Sequence, residues 1–181
     1  MQAIHVSTEC REKMGTLSEL LKRIKGNYEI DPVNPELIVP CEFLEEGVGE
    51  ALLKAFLASP PWKNGKISLA LDPGEVKTGL VLAVDDEVIH AASTTPEAVK
   101  KILSLLSKYY TNLSVFSGDT RVARRLLEDK PSNVTVVYLD EAKLPGVHID
   151  VKTRDDALDA LRIYYRGRTV TLQREFSKSS L

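Results

Sequence analysis

Only two cysteines occur in the 181 residues, and Cys10 and Cys41 are not arranged as a CxxC pair. Neither a zinc knuckle nor a disulfide framework is indicated. A single bridge between them stays open, since heat-loving organisms keep some intracellular disulfides. Long hydrophobic runs are also missing: no stretch nears the roughly 18–20 apolar residues of a membrane span. Met1 to Cys10 lacks the basic start and apolar run of a secretory signal, so a cytoplasmic protein with no membrane partner is expected. A basic excess is absent, the net charge being -2, whereas proteins that grip nucleic acid are basic where they touch phosphate. His5, His90 and His148 are scattered. None has a metal-ligand partner at useful spacing, and no Ser/His/Asp or Cys/His arrangement is suggested.

With 43% hydrophobic and 28% charged residues, the chain has the balance of an ordinary globular protein. Its length allows one domain plus a small extra one. Residues 1–65 read as a small helical segment. Thr16-Leu17-Ser18-Glu19 has the form of a capping box. Leu17, Leu20, Leu21 and Ile24 fall at helical spacing, and Gly26 is placed to end the helix. Pro32, Pro35 and Pro40 surround the short run Leu37-Ile38-Val39, and a second helix is expected from about Leu44 to Ala58. Ser59-Pro60-Pro61 stops it, and Trp62 to Gly65 reads as a linker. Two short amphipathic helices bury too little surface to stand alone, so they should pack on the main domain or a second subunit.

From Lys66 the pattern becomes that of an α/β domain, residues 66–181. Ile67 to Leu71, Gly79 to Val84 and Glu87 to Ser93 predict three antiparallel strands, with Asp85-Asp86 as a turn. Thr94 and Thr95 can cap a helix begun by Pro96, with Val99, Ile102, Leu103 and Leu106 on its buried stripe. Strand Leu113 to Ser117, helix Asp119 to Asp129, strand Val134 to Leu139 and helix Asp155 to Arg166 follow. The last two strands should lie parallel to the first through crossover connections. Thr169 to Leu172 is read as a late edge strand.

Ligands collect at the carboxyl ends of strands in such a sheet, and that is where the acidic residues fall. Asp72 ends the first strand, Asp119 follows the fourth, Asp140 and Glu141 follow the fifth, and Asp156 and Asp159 share a face of the last helix. Gathered carboxylates repel one another unless a cation is present, and oxygen ligands select hard ions such as Mg²⁺ or Mn²⁺. Two such ions can activate water and stabilise the leaving oxygen in phosphodiester cleavage. Each residue also has a plainer reading: Asp72 as a turn residue, Asp119 as a helix N-cap, and Asp155, Asp156 and Asp159 as favourable charges at a helix N-terminus. Arg121, Arg124 and Arg125 sit at helical spacing, and Lys152 to Leu181 is basic. These residues, with Lys152 and Arg154, suit either a solvated surface or phosphate contact, as do Lys77 and Thr78.

Leu71-Asp72-Pro73-Gly74-Glu75-Val76-Lys77-Thr78-Gly79 resembles the first-strand motif of RuvC-type Holliday-junction resolvases, and Asp156-Ala157-Leu158-Asp159-Ala160-Leu161 resembles their last-helix motif. Asp140-Glu141 is similar to the acidic pair that follows the fifth strand in the related YqgF group. The likeness spans about Lys66 to Arg168. It implies an RNase H-like mixed five-stranded sheet, three antiparallel strands then two parallel. It also implies metal-dependent endonuclease activity on branched DNA or structured RNA, with two Mg²⁺ or Mn²⁺ ions. Asp72 would bridge both ions, while Asp156 and Asp159 would hold the second and position water. A glutamate expected at the end of the fourth strand is replaced by Phe116-Ser117-Gly118, with Asp119 and Glu141 as the candidate substitutes. The resemblance further implies a homodimer, because a four-way junction has two-fold symmetry. The missing glutamate favours an alternative, a nucleic-acid or protein binding module that keeps the fold without catalysis. A nucleotide-dependent phosphotransferase ranks third, since it needs two facing domains of this kind.

Overall fold

The computed structural model describes residues 2–140 and 156–179, with side chains through residue 173. Its larger sheet is built on β4 (Ile67–Pro73), which pairs antiparallel with β5 (Thr78–Val84) and parallel with β7 (Leu113–Gly118). Outside these lie β6 (Glu87–Thr94), antiparallel to β5, and β8 (Val134–Leu139), parallel to β7. The order is β6-β5-β4-β7-β8. The chain is therefore α/β with a five-stranded mixed sheet, three strands antiparallel and two added in parallel.

Strand β4 is central, and five successive residues of it are buried, as expected of a strand covered on both faces. Ile67, Leu69 and Leu71 belong to one apolar core, which continues into the N-terminal residues Val6, Leu17, Phe43 and Phe56. Ala70 belongs to a second core on the other face, with Val81, Phe116, Ala160, Ile163 and Tyr164. The alternation of side chains along a strand puts Asp72 on the second face, two residues beyond Ala70.

Helix α3 (Pro96–Tyr109) covers the first face, and Thr95 caps it by accepting from the Ala98 N–H at 3.2 Å. The short helix α4 (Arg121–Leu126) is capped by Thr120, which accepts from the Ala123 N–H. The expected cap, Asp119, does not take that role. Helix α5 (Asp156–Ser179) lies across the second face. It runs through residues 169–172, so the late edge strand expected there is not formed. Asp85 and Asp86, both at positive φ, make the two-residue β5–β6 turn, as such hairpins require. This turn anchors α5: the Tyr164 hydroxyl donates to the Asp86 carbonyl at 3.1 Å, and Arg168 pairs with the Asp86 carboxylate at 2.8 Å.

Residues 1–65 are not purely helical as expected. Strands β1 (Ile4–Thr8), β2 (Tyr28–Ile30) and β3 (Leu37–Val39) form a parallel sheet of order β2-β1-β3. Two of these strands have only three residues, too few for an alternating pattern to show. Helix α1 (Met14–Leu21) starts before Thr16 and has no side-chain cap, so the capping box does not form. Helix α2 covers Gly49–Ala58, shorter than expected, and a 3₁₀ turn at Cys41–Leu44 precedes it. Glu42 in that turn binds Lys108 and accepts from the Tyr109 hydroxyl at 2.5 Å, both on α3. These contacts hold the Glu42 carboxyl below its usual range and fix the N-terminal unit to the larger sheet. No helix among the described residues is long and apolar enough to cross a membrane.

Cys10 and Cys41 are joined, their Cα atoms 5.5 Å apart. The bridge closes a separation of 31 residues, for which the chain-entropy model gives about 3.5 kcal/mol. Reduction, or Cys10→Ser with Cys41→Ser, should therefore lower unfolding stability in urea by up to that amount. A loss under about 1 kcal/mol would show that strand pairing and the Glu42 contacts hold this unit without the bridge.

Candidate functional site

The carboxyl end of β4 is where the acidic residues were expected to meet, and the approach of α5 decides how far they do. Asp72 pairs in register with Gly79 of β5, and Gly79 with Ser93 of β6. A Cβ at Gly79 would lie 1.8 Å from the Asp156 carbonyl oxygen, so the first turn of α5 rests on bare backbone there. Asp156 thus stands one strand away from Asp72 on the same face. Its carboxylate leans toward the sheet edge and accepts from the Ser93 hydroxyl at 3.0 Å. Farther along, a Cβ at Gly167 would strike the Phe116 ring at 2.3 Å, so glycines seat both halves of the helix.

The other carboxylates are held differently. Asp119 accepts two bonds from Arg124, at 2.7 and 2.9 Å, and the Arg124 guanidinium lies over the Tyr138 ring. Helix α4 packs through Leu126 on the first face, so this pairing draws Asp119 away from Asp72 and Asp156. Extending the β4–β7 register one residue past Leu71↔Ser117 places Gly118 beside Asp72, where the resemblance requires an acidic side chain. Asp159 accepts from Arg162 at 2.5 Å. Asp140 follows the last residue of β8 at the carboxyl end of the sheet, and Glu141 lies outside the described residues. Among the described residues, no three His, Cys, Asp or Glu side chains gather closely enough to hold a metal ion. The donor set at Asp72 and Asp156 nevertheless has the chemistry of a hard-cation site. Asp119 and Asp159 pair with Arg124 and Arg162.

The residues expected at phosphate divide by exposure. Lys77, Arg121, Arg124 and Arg125 are exposed, and Arg125 approaches Glu75 in the β4–β5 turn at 3.7 Å. Thr78 is a correction: it is fully buried, and its hydroxyl has no partner. Its place is on the first face, two residues before Leu80, which closes it to a ligand at Asp72. Lys152 and Arg154 lie outside the described residues.

A cleft of about 620 Å³ lies elsewhere, between the N-terminal helices and the first face of β5 and β6. Leu80, His90 and Ala92 line it, with Glu19, Glu45 and Glu50 on its walls. Those glutamates pair with Lys22, Lys101 and Lys54. His90 was not expected to matter, and nothing in its strand pattern signals its environment. Burial first, then the Lys54 ammonium, lowers its pKa. Comparison with protein-family models, curated proteins and solved structures finds no match for this chain.

Two outcomes are expected. Gly79→Ala should displace the start of α5 and cost about 1–3 kcal/mol, measured by chemical denaturation. A neutral result would mean that Asp156 does not rest on β5. His90 should titrate below the usual value near 6.5 when followed by NMR. Because its folded pKa is lowered, its neutral form contributes stability that is full above that value and lost as pH falls through the folded pKa. His90→Gln should flatten this part of the stability–pH curve, and titration of His90 at or above 6.5 would contradict the assignment.

Proposed function

We propose that this chain is a metal-dependent phosphodiesterase acting on nucleic acid, with an RNase H-like fold of the RuvC/YqgF kind. One observation carries the reading: the start of α5 lies on Gly79, the register partner of Asp72. Two motifs about 80 residues apart in the chain thereby share one end of one sheet face. The strand order, with the Asp72 strand central and three antiparallel strands extended by two parallel ones, also supports it.

Asp72 and Asp156 would hold a hard divalent ion such as Mg²⁺ or Mn²⁺. When bound, such an ion activates water and stabilises the leaving oxygen in phosphodiester cleavage. The chain's own groups orient and balance the site. Ser93 fixes the rotamer of Asp156 through its hydroxyl. Arg162 balances Asp159 and Arg124 balances Asp119, so the described carboxylates provide for one ion where the resemblance implies two. The exposed arginines of α4 beside this edge offer phosphate contacts by charge and by planar donor geometry. The glycine at position 118 and the turning of Asp119 toward Arg124 favour a second reading, a binding module on the same fold that does not cleave.

The test is a cleavage assay on four-way junction, flap, duplex and single-stranded DNA and RNA with Mg²⁺ or Mn²⁺. The native chain should cut at least one substrate, and Asp72→Asn should fall to background with its circular dichroism unchanged. Binding without cleavage by both proteins would select the binding module. Undiminished cleavage by Asp72→Asn would overturn the site.

A further inference from the structure

Helix α5 carries two arginines that each have one buried donor without an acceptor among the described residues. Arg162 and Arg166 are one turn apart, about 6 Å along the axis. Tyr164 and Arg168 of the same helix reach the β5–β6 turn. At about 100° per residue, Arg162 and Arg166 lie on the flank opposite to those two. That flank is turned toward β7 and β8, and Asp159 shares it. Arg162 donates to Asp159 through Nη1, but its Nε is buried with no acceptor. Arg166 Nη1 is likewise buried with no acceptor among the described residues.

A buried donor left without an acceptor costs about 1–3 kcal/mol, and more when charged. Two such donors on one helix flank need a reason. The fold does not require guanidinium there, because an apolar side chain of similar length covers the same surface without the cost. Guanidinium does provide planar, paired N–H groups that match the oxygens of a phosphate. The helix also starts at the candidate site: from Asp156, Arg162 is six residues and Arg166 ten residues along it, about 9 and 15 Å.

We propose that Arg162 and Arg166 form a phosphate-binding site, which holds the backbone of the nucleic-acid strand whose reacting phosphate lies at Asp72 and Asp156. The assignment rests on the function proposed above and adds a direction to it. The strand leaves the carboxylates along α5, on the side of β7 and β8, and presents its next phosphates first to Arg162 and then to Arg166.

The experiment measures binding apart from cleavage. A fluorescein-labelled four-way junction and a labelled single strand are titrated with the full chain in EDTA, by anisotropy, between 50 and 200 mM salt, on the order of the range over which phosphate contacts show. Arg162→Gln with Arg166→Gln should weaken binding by at least about tenfold and reduce the slope of log K against log salt by about 2. Arg166→Met should melt no lower than the native chain, since it removes a donor without an acceptor. A lower melting temperature with unchanged binding would show that the arginine serves the fold, and would overturn the proposal. Unchanged affinity and slope in the double variant, with cleavage still dependent on Asp72, would overturn this site alone and leave the nuclease reading standing. Inorganic phosphate raising the melting temperature of the native chain but not of the double variant, with oligonucleotide binding equal in both, would assign the site to a free phosphate and overturn the strand. A native chain that neither binds nor cleaves any substrate would overturn both.

Discussion

The approach of α5 to β5 is the contact from which the rest of the second face follows. Helix and sheet approach closely at Gly79, where any side chain would occupy the space of the Asp156 carbonyl. A helix that seats its first turn there must pass over the sheet within reach of Ala70, Val81 and Ala83, and these small residues admit Ala160, Ile163 and Tyr164. Its far half is then fixed by Gly167 against Phe116 and by Asp86, which holds Tyr164 and Arg168. One close backbone contact and one two-residue turn determine the axis of the helix. That axis determines which of its polar residues overlook the carboxyl ends of the strands. The acidic pair Asp156 and Asp159 stands at one end of this path, and the arginines are spaced along it.

The opposite face has a different task. Its core is continuous from the N-terminal strands through Phe43 and Phe56 to the inner residues of β4 and β5, so residues 1–65 help to cover the sheet rather than stand beside it. Tyr109 forms an edge contact with Phe43 and donates to Glu42. Burial and that carboxylate push its phenol up to about 12, which keeps it a neutral donor across the ordinary pH range. A neutral donor to a carboxylate inside an apolar seam adds a directed contact without placing a second charge there. Three glutamates on the walls of the cleft pair with lysines.

Much of the larger sheet was legible in the sequence because its signals are local. Ile67 to Leu71 and Gly79 to Val84 are apolar runs bounded by turn residues. Asp85-Asp86 occupies the one kind of turn that needs positive φ twice. The N-terminal strands were not legible, because three residues such as Tyr28 to Ile30 carry no period, and only pairing with β1 makes them strands. The extent of α5 was missed for a similar reason: Thr169 and Val170 are β-branched and suggest a strand, but the packing of Val170 on the second core keeps them helical. Propensity lost to tertiary contact. In the candidate site, the sequence showed which carboxylates sit at strand ends but not which way they turn. Whether Asp119 faces Asp72 depends on a single residue of alternation and on an arginine five positions later.

Charge balance at the sheet end bears most directly on the chemistry. Carboxylates brought to one edge raise the free energy of the folded chain unless cations compensate them, and a protein can supply those cations itself or recruit them from solution. Here it supplies two of them itself. Asp119 has Arg124 and Asp159 has Arg162, both exposed pairs that screening makes weak and readily exchanged. Among the described residues, Asp156 accepts a hydroxyl hydrogen bond from Ser93, which orients the carboxylate without neutralising it. On the function proposed above, Asp156 would be the carboxylate on α5 that takes a recruited ion, with Asp72 across Gly79. If Arg162 also turned to a phosphate, Asp159 would lose its cation as the substrate arrived, and a divalent ion would become more favourable at that moment. Substrate and metal would then strengthen each other's binding through one arginine, a coupling that follows from the position of Arg162 between Asp159 and the unused donors of α5.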